Sequence, residues 1–150
     1  MAFNFRFEKI LDLKKRIEEK LKSELASLEL KRGAVLSERE KLARELEDLR
    51  NEFSRRQEEG MSGGEIRLYL SFLSSLSVLI ARKEEEIKHL EKKISEKREE
   101  IIEASKERKK FEKLRERAFE AYRYEEALRE RRFLDEMGLN LFIRRERGGA

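Results

Sequence analysis

The sequence of 150 residues has no proline, cysteine or tryptophan, and its only histidine is His89. Without cysteine there is no disulfide, thiolate metal site or cysteine nucleophile, and one histidine cannot build a histidine-rich site. No run of 18 apolar residues is present, so no membrane span is expected. Charged residues between Met1 and Leu13 argue against a signal peptide. We therefore expect a cytosolic protein, or one bound peripherally to the cytosolic side of a membrane.

Charged residues make up 47% of the chain and apolar residues 38%. A compact globular domain carries about a quarter charged residues, so this chain has too little apolar material for such a core. A thin apolar seam between long helices needs much less. The 37 basic and 33 acidic residues give a net charge of +4, with both signs interspersed. That pattern is typical of a solvated helix surface and not of a stripe that binds nucleic acid.

Glycine marks the predicted turn. Gly60 suits the position that ends a first helix, and Ser62 and Glu65 have the spacing of a capping box that opens a second. Gly138 is the next stop signal. The prediction is an all-α protein with a single domain, a long antiparallel two-helix coiled-coil hairpin over residues 1–150. Its parts are a helix over 5–59, a turn over 60–62, a helix over 63–137 and a tail over 138–150.

Apolar residues recur every seven positions in both predicted helices, which indicates a left-handed coiled coil. They are Leu21, Leu28, Val35, Leu42 and Leu49 in the first helix, and Ile66, Leu73, Ile80, Ile87, Ile94 and Ile101 in the second. A fold at residue 61 places Val35 opposite Ile87 and Phe53 opposite Tyr69. Turn chemistry and heptads therefore predict the same antiparallel register. We expect Arg39 and Lys83, which also face each other, to extend their charged ends to solvent.

Toward the amino terminus the apolar pattern predicts a change of phase. Ile10, Ile17 and Leu21 continue the apolar side, and the step from Leu21 to Leu25 repeats an interval of four, as in a stutter. The partners of this segment are expected near Phe111, Leu114, Ala118 and Phe119.

The second helix is longer than the first, so about twenty of its residues are expected to extend past the amino terminus, about 30 Å of helix. This overhang holds Tyr122, Tyr124, Leu128, Phe133, Leu134 and Met137. We expect these apolar and aromatic side chains to be buried against another surface. The tail could fold back, two copies could associate, or another protein could bind.

Two regions carry more apolar or aromatic residues than the seam requires. Near the turn, Leu68, Phe72 and Leu79 form a second stripe, which is either a protein-binding surface, a wider core or a dimer contact. Where the termini meet, Phe5 is expected to face away from the seam. Its predicted companions in a partner contact are Arg115, Arg117, Tyr122, Tyr124, Arg131 and Phe133. Acidic residues interspersed there disfavour nucleic acid.

No constellation predicts catalysis, a cofactor or a metal. A two-helix hairpin offers no enclosed pocket that would exclude water from its carboxylates. The glycine-rich turn lacks the Gly-Lys-Ser/Thr ending of a phosphate loop. We therefore expect a protein that is not an enzyme and binds no small-molecule substrate.

Three segments resemble the flagellar export protein FliJ family. They are Phe3-Asn4-Phe5-Arg6-Phe7-Glu8-Lys9-Ile10-Leu11, Tyr69-Leu70-Ser71-Phe72-Leu73-Ser74-Ser75-Leu76, and residues 130–142 with Leu134-Asp135-Glu136. The resemblance implies a component of the type III flagellar export apparatus that is similar to the gamma stalk subunit of rotary ATPases. It implies that the terminal part enters and stimulates the hexameric export ATPase.

The same resemblance implies contacts with the cytoplasmic domain of the export-gate membrane protein and with export chaperones, at the inner face of the cell membrane. Its gate-contact positions match Phe72 and Leu76, with Leu46 and Phe53 opposite by pattern. The last three lie in the predicted seam. A stalk subunit of another rotary ATPase and a generic coiled-coil spacer are the alternative interpretations.

Overall fold

The computed structural model describes residues 2–149. It consists of two α-helices, α1 over Glu8–Glu59 and α2 over Gly63–Gly148. The helices are antiparallel and pack as a hairpin, and α2 is the longer. The predicted all-α hairpin is therefore confirmed.

The chain divides into two compact units. We call Glu19–Glu103 the turn unit, and the described residues of 1–18 and 104–150 the terminal unit. Each unit contains a piece of both helices, so each has its own stretch of seam.

The turn forms as its residues predict. Gly60 has a φ of 97°, a left-handed conformation that residues with a Cβ rarely adopt, and its amide donates to the Gln57 carbonyl at 3.3 Å. The Glu65 amide donates to the Ser62 hydroxyl at 3.3 Å, which caps the start of α2. The turn therefore occupies residues 60–62.

An aliphatic seam holds the turn unit together. Val35, Ile87 and Leu90 are buried in one cluster, with Leu28 packed against it, and Ile94 is 3% exposed. Closer to the turn, the rings of Phe53 and Tyr69 lie 5.4 Å apart. These contacts are the ones that a fold at residue 61 predicts, so the heptad register is confirmed here.

Basic residues at seam positions of the turn unit pair with carboxylates across the helices. Arg39 donates to Glu84 at 2.9 Å, and Lys83 donates to Glu38 at 2.7 Å. The ends of Arg39 and Lys83 thus leave the seam, as expected, and each also finds a counter-charge on the facing helix. Lys97 bonds Glu24 at 2.7 Å and Arg32 bonds Glu91 at 3.0 Å in the same way.

The predicted stutter in α1 is wrong. The buried residues of α1 in the terminal unit are Leu11, 1% exposed, and Glu18, 4% exposed, whereas Ile10 and Ile17 are 39% and 40% exposed. The strict heptad therefore continues through Leu11 and Glu18 to Leu25. A buried carboxylate is tolerable because Arg108 of α2 donates to Glu18, and Arg108 also bonds Glu112 at 2.9 Å.

The helix bounds differ from prediction at two places. The first helix begins at Glu8 and not at residue 5, because residues 2–5 are not helical. The second does not stop at Gly138 but continues to Gly148. Gly138 has no positive φ, and one glycine inside a helix costs only about 1 kcal/mol relative to alanine. The predicted tail over 138–150 is thus helical as far as Gly148.

One 18-residue window within α2 is long and apolar enough to cross a membrane by composition, with a mean hydropathy of 1.3 and none of its residues buried. The longest run of α2 without a charged residue extends from Leu68 to Ala81 and is only 14 residues long. This is weak ground for a span, because the run packs along α1, whose segment 44–59 is rich in charged residues.

Candidate partner-binding surfaces

The first candidate surface lies in the turn unit. Leu68, Phe72 and Leu79 are 56%, 54% and 41% exposed. Intervals of four and seven residues place them on one face of α2, beside the seam. We call these three residues the tip surface. The predicted stripe is therefore exposed and is not part of a wider hairpin core.

The predicted companions of the tip surface lie in the seam. Leu46, Phe53 and Leu76 are half-buried, and the Phe53 ring packs against Tyr69. The structure does not bring them out beside Phe72. Their contribution is to hold α2 against α1, so that the tip surface sits on a paired helix.

A shallow groove of about 240 Å³ adjoins the tip surface. Its apolar side chains are Leu49, Leu68, Tyr69 and Phe72, and its charged ones are Glu52, Arg56 and Glu65. The Tyr69 hydroxyl donates to Glu52 at 3.1 Å and accepts from Arg56 at 3.2 Å. The bond to Tyr69 raises the pKa of Arg56 above its ordinary value. Sequence reasoning missed this network, because Tyr69 was assigned only to the seam.

The second candidate surface lies in the terminal unit. The Phe3 ring packs on Phe119 and Tyr122, with centroid distances of 5.1 and 5.5 Å. Farther along α2, every described residue from 129 to 149 is exposed. We call α2 from 129 to 148 the free segment. It holds Phe133, Leu134, Met137, Leu139, Leu141, Phe142 and Ile143, all at least 40% exposed.

The prediction that Phe5 faces outward is wrong. Phe5 is 7% exposed, and its ring lies 5.9 Å from that of Phe7. Helical phase does not apply to it, because α1 begins only at Glu8, whose amide donates to the Phe5 carbonyl at 3.2 Å. Phe5 therefore belongs to the core of the terminal unit.

The other predicted terminal residues fall into two groups. Arg115 bonds Glu8 at 3.0 Å and lies over the Phe3 ring, and Tyr122 is half-buried beneath the same ring. These two anchor the amino-terminal segment. Arg117, Tyr124, Arg131 and Phe133 are exposed and remain candidates for a partner contact. Sequence reasoning missed the apolar residues after Gly138, because a non-helical tail was expected there.

Neither surface has the features of a catalytic site. Within residues 2–149, no group of three or more His, Cys, Asp or Glu residues could hold a metal ion. The grooves are open, with side chains of both charge signs along their edges. The arrangement suits binding of another macromolecule by exposed apolar and arginine side chains.

Fold and surfaces define the class: an antiparallel coiled-coil hairpin with exposed apolar side chains near its turn and along the end of α2. Within this class the chain belongs to the FliJ family, because the family described as "FliJ: Flagellar FliJ protein" matches residues 3–147. A flagellar FliJ protein of Bacillus subtilis (strain 168) is 29% identical to this chain over an alignment of 150 positions. The alignment covers 95% of this chain and 97% of the relative. No solved structure matches the chain. The protein is thus a non-enzymatic component of the flagellar export apparatus.

Proposed function

We propose that this protein works as a stalk-like component that couples the export ATPase to the rest of the apparatus. The free segment enters the ring of the hexameric export ATPase and stimulates it. The tip surface contacts the cytoplasmic domain of the export gate and the export chaperones. The protein therefore sits on the inner face of the cell membrane at the flagellar base, without a membrane span.

The observation that carries this proposal is the exposure of the free segment. Phe133 is 61% exposed, and Tyr124, which precedes the free segment, is 68% exposed. Beyond Tyr122, no helix of the described chain faces this part of α2. Apolar side chains in such numbers are covered by a partner in working proteins. Arginine and aromatic residues together favour protein interfaces, and the segment combines both.

The tip surface supports a second, separate partner. Leu68, Phe72 and Leu79 offer an apolar stripe, and the charged residues around the neighbouring groove supply a polar rim. A helix that lays apolar residues at intervals of three and four into such a groove is a common mode of recognition. This mode fits a helical element of the gate or of a chaperone.

The first experiment measures ATP hydrolysis by the flagellar ATPase from the same organism at increasing concentrations of this protein. We expect hydrolysis and hexamer formation to rise together. A variant that ends at residue 129 keeps Phe3, Phe119 and Tyr122 together and should lose the stimulation. The control is Leu30→Ala, which removes an exposed apolar side chain of the turn unit (77% exposed) and leaves the free segment intact. Full stimulation by the shortened chain would place the ATPase contact elsewhere.

The second experiment addresses the tip surface. Phe72→Ala with Leu79→Ala should preserve helix content and melting temperature, since both side chains are about half exposed, but should weaken binding to the isolated cytoplasmic domain of the gate or to a chaperone. Leu30→Ala again controls for the loss of an exposed leucine. A large fall in melting temperature for the double variant would show that the two residues are structural.

A further inference from the structure

The free segment has a face with an unusual internal symmetry about Met137. On a helix, residues four, seven and eleven positions away lie on the same face as a given residue. Around Met137 these are Phe133 and Leu141 at four, Glu130 and Arg144 at seven, and Glu126 and Gly148 at eleven. The spacing is the same in both directions along the helix.

The chemistry of this face is self-complementary. At four positions on either side, both residues are apolar, with Phe133 61% and Leu141 58% exposed. At seven positions, Glu130 is acidic and Arg144 is basic. If a second copy of the face is turned end for end, Phe133 meets Leu141, Met137 meets its own counterpart, and Glu130 meets Arg144 twice. This is the pattern of an isologous interface, in which the same patch serves both copies.

The available length fits the same arrangement. Phe3 covers α2 only as far as Tyr122, and the symmetric face begins at Glu126. The Gly148 end of a second antiparallel copy would fall beside Glu126, past the residues that Phe3 contacts. A shallow groove that starts at Tyr122 and runs to Phe133 lies along this stretch.

We propose that two copies of this chain associate as an antiparallel dimer through residues 126–148 of α2, about a two-fold axis at Met137. The three apolar side chains of this face, Phe133, Met137 and Leu141, and Leu134 at its edge opposite Asn140 of the second copy, each expose on the order of 100 Å². With the flanking charged stems, two copies bury roughly 1,000 Å², the lower limit for a specific interface. The dimer is therefore reversible. It goes beyond the proposed function: the dimer covers the same free segment that the proposed function places in the ATPase ring, so a chain in the dimer is not available to the ATPase.

The opposite face of the free segment lacks this property. Leu139, Phe142 and Ile143 are bunched toward the Gly148 end of α2 and have no apolar counterparts on the other side of Met137. A two-fold packing about Met137 through that face would place them against Asp135, Arg132 and Arg131. The symmetric face, and not overall apolarity, therefore selects a second copy as the occupant.

Sedimentation equilibrium on the full chain, from low micromolar to millimolar concentration, tests the proposal. The expected result is a monomer–dimer equilibrium. Met137→Glu places two carboxylates on the axis and should leave only monomer. Circular dichroism should be unchanged, because Met137 is 48% exposed. The matched control, Asp135→Arg, changes a residue off this face and should dimerise like the parent chain. Monomer at every concentration, or a dimer that Met137→Glu leaves intact, would overturn the proposal.

A charge exchange tests the alignment. Glu130→Arg and Arg144→Glu, made singly, each set like charges against each other and should weaken the dimer by roughly tenfold or more. The double variant should restore it. In addition, the absence of cysteine makes cross-linking simple: Met137→Cys should form a disulfide between two copies, whereas Phe133→Cys should not. Efficient Phe133→Cys cross-links would indicate a parallel alignment and overturn the antiparallel one.

Loss of dimerisation and loss of ATPase stimulation are separate readouts. A chain that stays monomeric but stimulates the ATPase would refute the dimer and leave the proposed function standing. A chain that dimerises at high concentration and still fails to stimulate the ATPase at concentrations where it is monomeric would refute the proposed function and leave the dimer standing.

Discussion

The turn unit and the terminal unit are built from the same two helices, but they fill their seams differently. In the turn unit the buried seam residues are all aliphatic, namely Val35, Ile87, Leu90 and Ile94. Its charged residues, such as Lys83, place their ends on carboxylates outside the seam. In the terminal unit the seam takes in aromatic rings and a buried glutamate. The difference shows that a heptad register can continue through a position that a charged residue occupies.

The stabilising interactions differ accordingly. An aliphatic layer contributes by removing apolar surface from water. The pair of Glu18 and Arg108 contributes little net free energy, because taking two charges out of water offsets most of their attraction. What such a pair can specify is alignment, since only one register brings the charges together. Four predictions test this contrast, in order of decreasing effect.

The largest effect is expected from truncating the best-buried side chain of each unit. Leu11→Ala and Ile94→Ala should each lower the free energy of unfolding by about 3 kcal/mol, since each removes buried methyl groups and leaves a cavity. Denaturant titration measures the loss in free energy of unfolding, and amide hydrogen exchange shows which unit is destabilised. Ile102→Ala, at a residue 54% exposed, is the control. Equal exchange in both units after Leu11→Ala would contradict the view that the two seams are locally separate.

Breaking the buried ion pair should cost somewhat less. Glu18→Ala leaves Arg108 with Glu112 and the Ser105 hydroxyl as partners, so the expected loss is about 2 kcal/mol. Glu18→Leu combined with Arg108→Leu should be within about 1 kcal/mol of the parent chain. Thermal melts of the single and double variants measure both. A double variant as unstable as Glu18→Ala would show that the pair adds net stability as well as alignment.

Removing a poorly satisfied arginine from the turn unit should stabilise the protein. The Arg32 Nε is buried and donates to no acceptor within residues 2–149, although its Nη2 bonds Glu91. Arg32→Met keeps the apolar stem beside the Leu90 layer and should raise the free energy of unfolding by about 1 kcal/mol. Arg98→Met, an exposed arginine paired with Glu29, is the control. A lower melting temperature for Arg32→Met would mean that its bond to Glu91 outweighs the buried nitrogen.

The smallest effect is expected from acid. Hydrogen bonds from Lys97 and Lys83 lower the pKa of Glu24 and of Glu38 below the ordinary 4.5. Folding therefore lowers these pKa values, so the pairs stabilise the protein fully above the ordinary value and lose their contribution as the pH falls through the lowered one. Melting temperature should be flat near neutrality and decline in acid. Glu24→Gln with Glu38→Gln should show a shallower decline, and an identical one would contradict the assignment.

Most of the hairpin could be predicted from sequence because its signals are local or periodic. Gly60, Ser62 and Glu65 specify a turn by their own backbone and capping chemistry, and the spacing from Leu21 to Ile101 specifies a register. The predictions are wrong where tertiary packing, and not local sequence, decides which side chains are buried. Ile10 and Ile17 were placed in the seam because they are apolar, although Glu18 occupies it. Phe5 was assigned a helical phase in a segment that is not helical.

The candidate surfaces were predicted in part. The tip stripe of Leu68, Phe72 and Leu79 followed from the heptad, because residues off the seam of a two-helix structure must be exposed. The terminal surface was incomplete, because Gly138 was read as a stop. Helix propensity alone cannot separate a tolerated glycine from a terminating one. A glycine inside a helix costs only about 1 kcal/mol relative to alanine, so the neighbouring residues decide whether the helix continues.

The coiled-coil hairpin and its turn at residues 60–62 follow from local signals, because heptad period, capping and glycine conformation act over short distances along the chain. Only the tertiary structure decided which residues fill the seam near the amino terminus. A buried glutamate is unfavourable in isolation, and the arginine that makes it acceptable lies on the other helix, 90 residues away.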